Sequence, residues 1–310
     1  MKKIILTIFI LSTFIFLTSC STKQTADIVT TMFPGYDFAR QIVGDKMTVS
    51  QIIPPGAEVH NYEATSQDMV SIKKAKLFIY TSLDIDTWIK NPETIGGTDT
   101  IVMNLSQNYS PVAYPYPLLI PLGEQQANTI HFWTDPANTV QLIDAILEQI
   151  VSIDLDNEAY YRQNAESYIN QINDMSQQIS DFLTSDTYLG STIYFAGHNA
   201  LGSFAARYGL HIFPLFEEFK PDADLTSNEL ITFTNEVKDR GTHYLFIDAL
   251  EFPKAANTIK GQLALDNYDL NLLTLYSFEN VSKIDFEGNV TYLDLLERDF
   301  NQLQIALVIT

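Results

Sequence analysis

Pro54-Pro55-Gly56-Ala57-Glu58-Val59-His60-Asn61-Tyr62-Glu63-Ala64-Thr65-Ser66-Gln67-Asp68 follows directly on an apolar run, Thr48 to Ile53. The run reads as a strand. Pro54, Pro55 and Gly56 stop it with a turn, and a lone histidine comes next. Ser66 is then placed to cap a helix through Met69, Val70 and Ile72. Strand, turn and helix make one unit of a parallel sheet, and the same alternation recurs on both sides of the stretch.

Upstream, Ala26 to Thr31 reads as a buried strand, Pro34-Gly35 as a turn and Tyr36 to Val43 as a helix. Downstream, Leu77 to Thr81 and Ile101 to Asn104 read as strands. Tyr109 to Gly123 is rich in Tyr, Pro and Leu without a period, and reads as a loop over the mouth of the lobe. Asp135-Pro136 then opens a helix, since proline suits the first turn and aspartate the cap. The strongest helical pattern follows. Tyr161, Ala165, Tyr168, Ile172, Met175, Ile179 and Phe182 recur at spacings of four and three. A helix from Asn157 to Thr184 is about 40 Å long at 1.5 Å per residue, a rigid strut between two halves.

The second half repeats the alternation. Thr192 to Ala196, His211 to Leu215, His243 to Ile247 and Leu270 to Leu275 read as strands. The helices between and after them are Asn199 to Tyr208, one opened by a Thr226–Glu229 capping box, Pro253 to Leu265, and Tyr292 to Leu307. The expected fold is α/β, with two lobes, each a parallel β-sheet flanked by helices, joined by one long rigid helix. The expected divisions are 26–153 for the N-terminal lobe, 154–186 for the linking helix and 187–310 for the C-terminal lobe.

Residues 1–19 read as a lipoprotein signal peptide. Lys2 and Lys3 precede an apolar run, Ile4 to Leu17, too short for an ordinary membrane span, and Leu17-Thr18-Ser19-Cys20 ends it. Cys20 is then the lipid attachment site and 20–25 a tether. Cys20 is also the single cysteine, so no internal disulfide forms and no thiol is left for a metal or for nucleophilic chemistry. The formal charge of −20 disfavours nucleic acid, because phosphate contacts need Lys and Arg. It also disfavours anionic lipid, so the lipid anchor must provide the tether.

The five histidines separate by position. In open parallel sheets the ligand cleft lies beyond the carboxyl ends of the strands. His60 and His198 follow strands, and His131 sits just before the Asp135-Pro136 helix start. His211 and His243 begin strands on the opposite edge and read as structural. Glu279 lies just past the strand ending at Leu275, and Asp248 is a competing carboxylate at the end of another. His60, His131, His198 and Glu279 are therefore the candidate metal ligands. Three imidazoles and one carboxylate can close a four-coordinate site that suits Zn²⁺, whereas Mn²⁺ favours more oxygen ligands. No His-Glu-x-x-His and no Gly-x-Ser-x-Gly is present, which argues against a metallohydrolase or a serine hydrolase.

Several stretches together resemble the metal-binding lipoproteins of bacterial ABC transporters for zinc and manganese, the cluster A-I solute-binding proteins. They are Thr30-Thr31-Met32-Phe33-Pro34, Pro55 to Glu63, His131-Phe132-Trp133-Thr134-Asp135-Pro136, His198-Asn199-Ala200-Leu201-Gly202 with Arg207-Tyr208-Gly209-Leu210, and Ser277-Phe278-Glu279 followed by Gly288 to Leu293. The resemblance implies one Zn²⁺ per chain, bound as transported ligand by His60, His131, His198 and Glu279. It also implies a monomer on the extracytoplasmic face of a bacterial cell membrane, delivering the ion to an ABC permease driven by a cytoplasmic ATPase. The manganese branch carries a carboxylate where this chain has His198. Two features depart from the family. Thr129-Ile130 stands before His131 in place of Asp-Pro, and the His-rich loop between the first two ligands is missing. Manganese or iron as cargo, and a surface adhesin with a structural metal, are the alternatives.

Overall fold

The computed structural model describes residues 26–116, 129–216 and 226–308. Cys20, the leader and the tether lie outside them, as does the part of the Tyr- and Pro-rich stretch from 117 on. The first sheet is built from β1 (Ile28–Thr30), β2 (Val49–Gln51), β3 (Leu77–Tyr80) and β4 (Ile101–Asn104). Its order is β2-β1-β3-β4, all parallel, with Ile28 opposite both Val49 and Leu77. The second sheet contains β5 (Thr192–His198), β6 (His211–Phe216), β7 (Tyr244–Asp248) and β8 (Asn271–Leu275) in the equivalent order, β6-β5-β7-β8, again parallel. The two lobes thus share one topology, and each reverses its strand order beside its first strand, where such sheets place their ligand crevice.

The helices are α1 (Phe33–Val43), α2 (Ser66–Lys74), α3 (Pro92–Ile95), α4 (Pro136–Ile153), α5 (Glu158–Leu183), α6 (Gly202–Tyr208), α7 (Ser227–Asp239), α8 (Lys254–Leu265), α9 (Lys283–Glu287) and α10 (Tyr292–Val308). Their ends follow local chemistry. Asp135 caps α4 by accepting from the Ala137 N–H, and Thr226 and Glu229 make the expected box at α7. At α2 the cap is Thr65, not Ser66. Thr65 Oγ1 accepts from the Asp68 N–H while the Asp68 carboxylate accepts from the Thr65 N–H, a reciprocal pair that Ser66 cannot make with Met69. α6 starts at Gly202 because residues 199–201 form a turn in which Ala200 N–H bonds the His198 carbonyl.

Strand alternation sorts the side chains between cores. Ile28 of β1 and Ile193 and Phe195 of β5 face a single interior core that runs from α1 through α4 and α5 to α6 and α10. Val29 and Tyr194 face two smaller cores under α2 and under α7 and α8. α5, 26 residues long, sits in the shared core and packs on α1, α4, α6 and α10. The halves therefore share continuous apolar packing, with no thin hinge between them.

A polar hub is set into this packing. The fully buried Asp37 accepts from Arg40 Nε at 2.9 Å, Tyr168 Oη at 2.6 Å and the Tyr292 N–H at 2.8 Å. It joins α1, α5 and the start of α10. Arg40 extends the joint by donating to the carbonyls of Asn289 and Val290. Asp37→Ala takes the shared acceptor from a half-buried guanidinium, a buried phenol and a backbone N–H, so it should cost about 3–5 kcal/mol. Asp37→Asn keeps an acceptor and should cost about 1–3 kcal/mol. Urea unfolding of the two variants against the parent measures both; equal costs would show that the charge, and not the acceptor that Asn retains, carries the hub.

Candidate metal centre

The turn before His60 is fixed from outside its own lobe's sequence. Gly56 has φ +78°, a conformation that favours glycine. Its N–H bonds the carbonyl of Val281 at 2.8 Å. The Asn280 side chain donates to the carbonyls of Pro54 and Ala57, both at 2.9 Å, and accepts from Gln51 Nε2 at 3.0 Å. The Phe33 N–H bonds the carbonyl of Glu279 itself. The segment carrying Glu279, late in the chain, is thus stitched to the N-terminal lobe on either side of the acid. Phe278, just before it, holds φ +61°, an outlier for a bulky residue. Its ring is buried against Tyr292, which keeps it there.

His131 belongs to a short 3₁₀ segment, Thr129–Thr134, broken at His131. The first turns of α4 hold this segment: Asn138 Nδ2 donates to the Phe132 carbonyl and Thr139 Oγ1 to the Trp133 carbonyl. Trp133 Nε1 in turn donates to the Ser277 carbonyl at 3.1 Å. The His131 and Glu279 segments are therefore bonded to each other as well as to the N-terminal lobe. On the far side Arg207 of α6 forms a buried pair with Asp135, Nη2 to Oδ2 at 2.6 Å, and donates to the carbonyls of Val112 and Ala113. His198 ends β5, two residues later than the strand read from the sequence. A bulge between Phe195 and His198 breaks the register, and a Cβ on Gly197 would lie 2.7 Å from the Phe195 ring. Bulges re-aim the side chains beyond them.

These elements bring His60, His131, His198 and Glu279 together, each with one ligand atom within 4.8 Å of all the others. Glu279 Oε1 is the focus, 3.1 Å from His60 Nε2, 2.7 Å from His131 Nε2 and 4.0 Å from His198 Nε2. A tetrahedral ion with bonds of about 2.0–2.2 Å spaces its donors about 3.3–3.6 Å apart, so small shifts would convert this cluster into a coordination cage. Burial alone pushes the Glu279 carboxyl up, but the imidazoles of His60 and His131 reverse that and hold it well below the usual range. Burial pushes the His131 imidazole down, against the opposing pull of Glu279. At His198 burial also works downward, yet the carboxylates of Glu251 and Glu279 win and raise it. The set offers a dication one negative charge and three imidazole donors, all largely buried.

Asp248, the competing carboxylate, lies outside the four-donor group and accepts from the Leu250 N–H at 2.7 Å. Burial and the nearby charges of Glu251 and Glu279 push it up to about 7. His211 and His243 start β6 and precede β7, on the edge away from the cluster. Glu251 and Asn280 were not singled out from sequence. Each acts through a fold contact, and neither sits in a local motif that announces it.

The family of the periplasmic component A of the zinc-uptake complex, ZnuA, matches residues 28–306. The high-affinity zinc uptake system protein ZnuA of Bacillus subtilis (strain 168) is 26% identical over 302 residues, covering 93% of this chain and 92% of its own. The zinc-binding lipoprotein AdcA of Streptococcus pneumoniae (strain ATCC BAA-255 / R6) is 24% identical over 94% of this chain, which spans 58% of AdcA. The crystal structure of the metal-dependent lipoprotein YcdH from Bacillus subtilis superposes with a TM-score of 0.72 at 25% identity, covering 91% of this chain and 98% of the other. With a match that runs from β1 into α10, the chain belongs to the ZnuA family.

Proposed function

We propose that this chain captures Zn²⁺ outside the cytoplasmic membrane with His60, His131, His198 and Glu279, and hands the ion to an ABC permease driven by a cytoplasmic ATPase. The observation that carries the reading is the buried cluster of three imidazoles and one carboxylate drawn from both halves of the fold. Zn²⁺ accepts four such donors without geometric preference, whereas Mn²⁺ favours oxygen-rich, higher coordination. The names of the ZnuA and AdcA relatives support the same cargo. Four protein donors leave no open position for a metal-bound water, which argues for binding and not for hydrolysis. No helix among the described residues is long and apolar enough to cross a membrane, and Cys20 would carry the lipid that holds the monomer at the extracytoplasmic surface. In this reading 26–153 and 187–310 are the lobes that present the donors and 154–186 is the strut between them.

Metal analysis of the purified mature chain should find one zinc per molecule. His198→Ala and Glu279→Gln should each weaken zinc by more than the roughly 10–100-fold that removal of an outer-shell partner costs. A variant that keeps parental zinc content removes that residue from the site.

Zinc must displace protons from the imidazoles, so its affinity should fall as pH drops from 7.5 to 5.5. Glu279, held well below the usual range, stays ionised throughout. Without metal, the two histidines act in opposite directions. The raised His198 gives stability that is fully present below an unfolded value of about 6.5 and is lost as pH rises through its folded value. The lowered His131 costs stability as pH falls below about 6.5. The melting temperature gained on adding excess zinc should shrink steadily toward pH 5.5. A zinc-induced gain independent of pH would rule out imidazole ligands.

A further inference from the structure

His198 faces a carboxylate with each ring nitrogen. Nε2 lies 4.0 Å from Glu279 Oε1, inside the four-donor cluster, and Nδ1 lies 3.6 Å from Glu251 Oε1, outside it. Glu251 stands three residues beyond the end of β7, with its side chain 41% exposed at the rim. A neutral imidazole carries one N–H. To offer a lone pair to a cation through Nε2, His198 must carry its proton on Nδ1, and an ionised carboxylate only accepts hydrogen bonds. A carboxylate facing Nδ1 therefore selects the tautomer in which Nε2 is the donor, and it orients the ring at the same time. His198 has particular need of such support, since the bulge at 195–198 leaves it at the irregular end of its strand. His131 differs: its ring is fully buried and its Nδ1 has no hydrogen-bond partner among the described residues, so packing sets its orientation.

We propose that Glu251 is the positioning residue for His198, fixing its tautomer and aiming Nε2 into the cluster without itself being a ligand. This rests on the reading of His198 as a zinc ligand. Because Glu251 is far more exposed than the four donors, its replacement should leave the metal-free fold alone.

The test is a double-mutant cycle on the mature chain, with zinc affinity read by chelator competition for the parent, Glu251→Gln, His198→Ala and the double variant. Glu251→Gln should weaken zinc roughly 10–100-fold with the circular dichroism of the folded metal-free chain unchanged. In the His198→Ala background it should cost nothing further. If His198→Ala binds too weakly to measure, long-range ¹H–¹⁵N spectra of the zinc-loaded chain take over. Glu251→Gln should then move the His198 ring nitrogens and leave those of His60 and His131 in place. An unchanged affinity in Glu251→Gln, an equal cost in both backgrounds, or unmoved His198 nitrogens would overturn the assignment. A parent chain that takes up no zinc would sink the zinc reading, and this proposal with it.

Discussion

One carboxylate holds the site in tension. Glu279 is almost wholly buried, where an isolated negative charge is disfavoured, and it remains ionised because imidazoles converge on a single oxygen. Those imidazoles in turn are crowded together around it, with ring centroids 5.2–5.7 Å apart. Three imidazoles and one carboxylate gathered this closely match the donor set of a four-coordinate Zn²⁺ site. The remaining architecture places that carboxylate and keeps it there, through the Phe33 and Gly56 amides, the Asn280 side chain and the buried Phe278 ring.

The donors are not distributed evenly between the lobes in mechanical terms. His60, His131 and Glu279 come from segments bonded to one another through Gly56, Asn280 and Trp133. His198 arrives from the other sheet, on an interrupted strand end, and stands furthest from the shared oxygen. The pairing of Arg207 with Asp135 brings α6 to the same seam, so the second lobe is docked next to His198.

Much of this was legible in the sequence because it depends on short-range rules. Strand, turn and helix alternation gave both sheets, and the spacing from Tyr161 to Phe182 gave α5. Placing His60, His198 and Glu279 past strand ends was enough to gather them at one cleft. The misses have physical causes. Thr65 and Ser66 are both good caps, and only the partner three residues on, Asp68 or Met69, distinguishes them. α3 and α9 are too short to show a period. Glu251 and Asn280 look like ordinary loop residues until the fold brings them to partners far along the chain. The same holds for Asp37, whose neighbours Tyr168 and Tyr292 are invisible as a group before folding.

The long return of the chain has a consequence for when the site can exist. The bond between His60 and Glu279 closes across 219 residues, and that between Asp37 and the Tyr292 amide across 255. Contacts this remote form late, because loop closure must be overcome before they are rewarded. A chain still emerging from a ribosome would present scattered histidines but no cluster. The four-residue cluster thereby becomes a property of the finished molecule, and an incompletely folded copy does not assemble it.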